Sequence, residues 1–400
     1  MDHVWFSAAV WLGLALIATL LSTWLKVSVA LAEIVVGTVA QVVFSTLLGV
    51  DALGVRRDWI AFLAGLGSIV LTFLAGVELD PDAFRRSWRE ATAVGLVGFL
   101  APFLGAAWAA RTLLGWDLQA SLLAGVALST TSVAVVYAVM VELGLNRSPF
   151  GKVILAACFI NDLGTVVALG IIFAPFGPRT LVFTGALLAA LVVLFRATGP
   201  FFARYGGRTS ELEARFLLFS LFVLGGLAVW SGSEAVLPAY LLGMVLAGTV
   251  GREHALVRRL RTLTFGLLTP FYFLRAGALV NVPVVAGAPG IFAVLFLAKA
   301  VSKFVGIFPL TRLYRYPHAE GMYTTLLMST GLTFGTISAL YGLSHGIITP
   351  AQYSFLVATV IASAVVPTWI ANRFFLPVRH LAEATGKAES STALATTGAD

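Results

Sequence analysis

The sequence predicts an all-α polytopic membrane protein of about 13 transmembrane helices, and three observations carry that prediction. Of its 400 residues 59% are hydrophobic and only 11% charged, with a mean hydropathy of +0.95, a balance that the surface of a soluble domain does not tolerate. Thirteen apolar stretches approach the roughly 20 residues that a helix needs to cross hydrocarbon. They fall at 4–25, 28–48, 59–78, 91–113, 118–141, 152–174, 180–200, 214–231, 234–250, 263–281, 291–311, 320–343 and 351–371. The connections between them are too short to hold an inserted soluble domain.

The opening stretch has no basic start and runs into a full-length span, so it is expected to stay as a helix rather than be cleaved. Orientation follows from Lys and Arg. Lys26, the group Arg85, Arg86 and Arg89, the pair Arg147 and Lys152, the group Arg204, Arg208 and Arg215, the run 252–261, and Arg312, Arg315, Arg373, Arg379 and Lys387 all fall on one side, against Arg56, Arg57, Arg111 and Arg179 on the other. The rule that cytoplasmic loops are basic then puts the N-terminus outside and the C-terminus in the cytoplasm. Topology accounts for the net charge of +7, and no nucleic-acid partner is needed. The arginines of 252–261 can reach anionic lipid, although a solvated inner loop explains them as well. The lone Cys158 excludes an intrachain disulfide, and the absence of a His/Cys cluster gives no metal centre and no cofactor. The polar tail 378–400 is expected to be disordered.

Two spans carry a similar polar interruption: Ser129-Thr130-Thr131-Ser132 in the fifth, and Ser329-Thr330-Gly331-Leu332-Thr333 in the twelfth. Each predicts a broken helix. Transporters built from inverted repeats place such breaks near the bilayer midplane, where freed backbone groups meet an ion. The alternative is that the hydroxyls bond back to their own helices. Each break stands next in sequence to a span bearing a deep charge, which favours transport.

The first of those charges is Asp162, the only carboxylate in the apolar run 153–174. It lies about 15 Å from the inner edge of its span, at the bilayer centre. An ionisable group there points to an ion or proton pathway; the alternative is a packing residue held neutral or paired. Burial disfavours the ionised form, so Asp162 is expected to hold either a proton or a metal cation such as Na⁺. Exclusive occupancy of one carboxylate is sufficient for an exchanger if the protein changes facing only when Asp162 is neutralised. Asn161, Thr130, Thr131 and Ser132 offer further oxygens for a hard cation.

Lys303 in the eleventh span is also deep and is expected to face Asp162 or a broken-helix carbonyl, holding the empty site shut. Lys299 lies one turn earlier on the same face; snorkelling to an edge suits it better than it suits Lys303, although neither stands close to an end of the span. Arg275, in Pro270-Phe271-Tyr272-Phe273-Leu274-Arg275, is expected to form a structural ion pair with Glu78; Glu234 is a second possible partner. An intramembrane aspartyl protease needs two facing aspartates, and a retinal protein needs fewer spans, so no enzyme is expected. A cation channel or a non-transporting sensor remains the rival class.

At these residues the sequence resembles the bacterial monovalent cation:proton antiporter-2 family, near its sodium/proton antiporters. Leu31-Ala32-Glu33-Ile34-Val35-Val36-Gly37 is similar to the family's first helix, and Leu71 to Asp80 to its leucine-rich segment ending in an acid. Thr131-Ser132-Val133, Glu142-Leu143-Gly144 and Ile160-Asn161-Asp162 resemble the unwound helix and the ion-binding helix in their usual order. Pro270 to Phe273 with Gly277, and Lys303-Phe304-Val305-Gly306, match two more landmarks. Over about 28–375 the resemblance implies a thirteen-helix inverted repeat with two broken helices crossing at the midplane. Residues 88–176 and 291–377 would form a moving core, 1–87 and 213–290 a scaffold that dimerises, and 177–212 a linker helix. It further implies elevator-type exchange of Na⁺ (with Li⁺ accepted, or K⁺ instead) for H⁺, a homodimer, and the inner membrane of a prokaryote.

Three departures refine this expectation. Family members that move net charge commonly have two adjacent aspartates, whereas here Asn161 precedes Asp162; one titrating carboxylate implies electroneutral 1:1 exchange. Relatives often carry Pro-Arg-Gly-Glu where this chain reads Ser329-Thr330-Gly331-Leu332, and Arg275 is expected to stand in for the missing arginine. Potassium-efflux relatives often continue into a nucleotide-binding domain, which is not seen here, so ligand-gated potassium efflux is not expected.

Overall fold

The computed structural model describes residues 2–25, 27–48, 53–78, 81–145, 148–173, 177–207, 210–233, 235–251 and 253–377. The tail 378–400 and Glu234 lie outside the described residues. The helices are, in order, α1 (Asp2–Leu25), α2 (Val29–Leu48), α3 (Asp58–Val77), α4 (Pro81–Thr112), α5 (Leu118–Ser129), α6 (Val133–Glu142), α7 (Pro149–Phe173), α8 (Pro178–Tyr205) and α9 (Leu212–Ser231). They continue as α10 (Val236–Val250), α11 (His254–Leu263), α12 (Thr269–Ala278), α13 (Val282–Gly287), α14 (Pro289–Leu313), α15 (His318–Met328), α16 (Thr333–Ser344) and α17 (Pro350–Phe374), with a π-helical turn, Thr264–Leu268, joining α11 to α12.

The thirteen expected stretches are helical over most of their length. By length and composition, 10 segments among the described residues can cross a membrane. The other three stretches are 118–141, split into α5 and α6; 234–250, carried by the 15-residue α10; and 263–281, formed by the π turn and α12. Local chemistry sets many of the ends. Asp117 caps α5 by accepting from the Ala120 amide at 2.9 Å, a standard use of a short polar side chain. Gly232, with φ of 77°, ends α9 in the left-handed conformation that favours glycine. Large apolar side chains such as Phe6, Trp24, Leu47, Leu181 and Val193 stand exposed on their helices, as a lipid solvent requires.

The chain divides into two compact units. The first takes Met1–Pro81, Leu163–Pro289 and Thr336–Ala358. Within it α3 packs on α10 and α12, and α2 packs on α12 and α1. One apolar core gathers Phe73, Leu74, Leu217, Leu242 and Leu246, and another Trp11, Ile60, Phe271 and Leu274, with Trp11 stacked on Phe271 at 5.6 Å between centroids. Hydrocarbon supplies no hydrophobic drive between membrane helices, so close backbone approach does much of the work. At the α2/α12 crossing a Cβ on Gly277 would run into the Ile34 carbonyl, and Thr38 donates to the Gly277 carbonyl at 3.0 Å. Gly277→Ala is therefore expected to destabilise the protein by about 1–3 kcal/mol, seen as a lower unfolding temperature in detergent.

The ion pair expected between Arg275 and Glu78 does not form. The Arg275 Nε donates to the Val55 carbonyl at 3.0 Å, whereas Glu78 pairs with Arg261 at 2.5 Å. The reason is the length of α3: Val55 precedes it and Glu78 follows it, about 30 Å away at the rise of an α-helix. Arg259 pairs with Glu211 at 2.8 Å. Two arginines of the run expected to meet solvent or lipid are thus engaged with carboxylates, although such exposed pairs add little stability.

The second unit takes Asp82–Asp162, Gly290–Gly335 and the chain from Thr359. It holds α4, α5, α6, the first half of α7, α14, α15 and the second half of α17, and with them every residue of the expected ion site.

Candidate functional site

The two polar interruptions do break their helices. Ser129 Oγ donates to the Val126 carbonyl at 2.8 Å, and Thr130 Oγ1 to that of Ala127 at 3.2 Å. In the second break Ser329 Oγ donates to the Thr325 carbonyl and Thr330 Oγ1 to that of Leu327, both at 2.7 Å. The hydroxyls thus bond back to the last turn while the main chain leaves the helix: Thr130 is extended, with φ of −62° and ψ of 148°. Helical geometry resumes at Val133 and at Thr333.

The two unwound segments bind one another. Thr131 Oγ1 donates to the Met328 carbonyl at 2.7 Å, and the Ser132 amide donates to the Thr330 carbonyl at 3.0 Å. Ser363 of α17 donates to the Gly331 carbonyl at 3.3 Å. Both segments are buried, so each pairing spares the cost of an unmet backbone group in a site closed to water.

Asn161 and Asp162 stand side by side near the middle of α7, both buried. Asn161 faces the first break. Its Oδ1 accepts from the Thr131 amide at 2.8 Å, and its Nδ2 donates to the Ser129 carbonyl at 3.3 Å. One side-chain amide thus satisfies both a donor and an acceptor that the break has freed. Asn161 and Thr131, expected as cation ligands, also hold the segment in place. Asp162 differs: its Oδ1 is buried and has no hydrogen-bond partner among the described residues. An acceptor left bare at such a place is expensive, and it becomes intelligible if a proton or cation completes it. The Ser132 hydroxyl accepts from the Val135 amide at 3.4 Å, its one partner among the described residues, and keeps acceptor capacity.

Two lysines of α14 reach the first segment. Lys303 Nζ donates to Thr131 Oγ1 at 2.9 Å, and Lys299 Nζ to the Thr130 carbonyl at 3.2 Å. Lys303 acts on Asp162 electrostatically without a salt bridge to it, so its direct partner is a hydroxyl rather than the carboxylate or a carbonyl. Lys299 does not snorkel. It is 1% exposed and donates to the broken-helix carbonyl of Thr130, one of the two partners expected for Lys303. Arg275, expected to replace a charge missing from the second break, is tied to the Val55 carbonyl; among the described residues Lys299 and Lys303 are the cations bonded to the first break.

Two helices interrupted in mid-course, joined through their unwound segments and flanked by a deep acid and two buried lysines, define the class of membrane transporters with discontinuous helices. The chain belongs to the sodium/hydrogen exchanger family, whose transmembrane model matches residues 12–375. Cation/H⁺ antiporter 17 of Arabidopsis thaliana is 26% identical over 378 residues, covering 86% of this chain and 46% of the plant protein. The high-affinity Na⁺/H⁺ antiporter NhaS3 of Synechocystis sp. is 26% identical over 345 residues, covering 79% of this chain and 71% of that protein. The chain spans about half the length of the plant relatives it matches. Its fold is similar to that of the sodium proton antiporter MjNhaP1 of Methanocaldococcus jannaschii, with a TM-score of 0.69 at 15% identity over 94% of this chain and 100% of that one.

Proposed function

We propose that the protein is a secondary active transporter that exchanges a monovalent cation, Na⁺ with Li⁺ accepted, for H⁺. The observation that supports this most is the bare Oδ1 of Asp162, set beside two unwound segments whose other polar groups largely satisfy one another. Asp162 takes a proton or a cation in turn, and the Ser132 hydroxyl with nearby carbonyls completes the cation's oxygen shell. Facing changes only when the carboxylate is neutralised, because an unpaired charge resists leaving its polar surroundings. Elevator-type alternating access of the core, a homodimer, a prokaryotic inner membrane, and an outside N-terminus with a cytoplasmic C-terminus complete the reading. The names of the relatives above agree with it.

With one titrating carboxylate the exchange is one cation for one proton. The test is protein reconstituted in acid-loaded liposomes with a trapped pH dye, pulsed with Na⁺, Li⁺, K⁺ or choline at clamped membrane potentials. Na⁺ and Li⁺ are expected to drive proton efflux at a rate indifferent to the potential. A rate that follows the potential would break the 1:1 stoichiometry, a response to K⁺ alone would change the ion, and cation current without proton movement would make the protein a channel.

A further inference from the structure

We propose that Lys299 is a positioning residue: its ammonium ties the two unwound segments together, and Gly331 bears no side chain because the ammonium occupies that place. Lys299 Nζ donates to the Thr130 carbonyl in the first segment. From the other side, a Cβ built on Gly331 in the second segment would overlap that same Nζ and lie 2.9 Å from Thr130 Oγ1 and 3.1 Å from the Thr130 carbonyl oxygen. The ammonium therefore sits between Thr130 of the first segment and Gly331 of the second. Gly331 is not among the residues with left-handed φ, so space rather than backbone conformation calls for glycine there.

Electrostatics gives the same assignment. Helices α5 and α15 both stop at the breaks, and a helix C-terminus carries partial negative charge. Among the described residues Lys299 has no carboxylate within salt-bridge distance, so its charge is answered by the carbonyl of Thr130 and these helix ends. The two lysines divide the work on adjacent residues, Lys299 on the Thr130 carbonyl and Lys303 on the Thr131 hydroxyl. Thr131 is in turn held by Asn161, next to Asp162. Loosening Lys299 would let residues 130–132 drift at the cation site, which costs affinity before turnover.

The transport readout rests on the exchange reading, so a second readout accompanies it: amide hydrogen exchange of 130–132 and 330–332 in detergent. The variants are Lys299→Met, Lys299→Gln, Gly331→Ala, and the double variant Lys299→Met with Gly331→Ala. Lys299→Met and Gly331→Ala are each expected to raise the KM for Na⁺ about tenfold or more, with a smaller change in kcat, and to speed amide exchange in both segments. The double variant should be no worse than Lys299→Met alone, because the two changes remove one tie. Lys299→Gln keeps a donor without the charge and should fall between Met and wild type. Unchanged KM and amide protection in Lys299→Met, or single effects that multiply in the double variant, would overturn the proposal. If Lys299→Met does not fold, Lys299→Gln and Gly331→Ala decide by the same criteria. If the wild type exchanges no cation, the functional reading fails separately, and amide protection alone decides the tie.

Discussion

Asp162→Asn is expected to reduce cation-driven proton movement to the level of protein-free liposomes while leaving the protein folded. Asn has the shape of Asp but neither takes up a proton near neutral pH nor offers a charge to Na⁺, so both halves of the exchange are lost together. Folding should survive because Asp162 Oδ1 holds no hydrogen bond to lose, and Lys303 keeps its bond to Thr131. Any rise in unfolding temperature that Na⁺ gives the wild type should vanish in the variant, since a ligand stabilises only a state that binds it. Persistent exchange in Asp162→Asn would reduce Asp162 to a packing residue.

Asn161→Ala should injure both stability and transport. It leaves the Thr131 amide and the Ser129 carbonyl without their Asn161 partner in a buried place, at about 1–3 kcal/mol each, so a loss of about 2–6 kcal/mol is expected in denaturation measurements. The first unwound segment would lose its anchor to α7, and transport should fall even under conditions where the variant is still folded. Asn161→Asp should be milder on stability, since its carboxylate still accepts from Thr131 while losing the donor to Ser129. A fully stable Asn161→Ala would mean that the two hydrogen bonds hold nothing.

The breaks were legible in the sequence because hydroxyl residues in an otherwise apolar span advertise main chain that leaves the helix, and Asp162 because a charge in hydrocarbon has few bland explanations. Lys299 and Lys303 could be placed on one face by their four-residue spacing, but which oxygen each meets depends on how two segments about 200 residues apart in sequence come together. That arrangement sent Lys299 inward instead of to a membrane edge. Arg275 and Glu78 are not partners for a related reason: a span read from sequence gives no position along its axis relative to another, and the two residues serve opposite ends of α3. Asn161 read as an oxygen ligand; only the geometry reveals that both ends of its amide are already engaged.

The central claim is that one carboxylate takes either a cation or a proton, and the pH dependence of the KM for Na⁺ tests it most directly. Below the pH at which Asp162 gives up its proton, KM should rise about tenfold for each unit of acidification while the maximal rate stays constant, because the two ions compete for one site. A KM that stays fixed while the maximal rate falls would place proton and cation at separate sites and contradict the account.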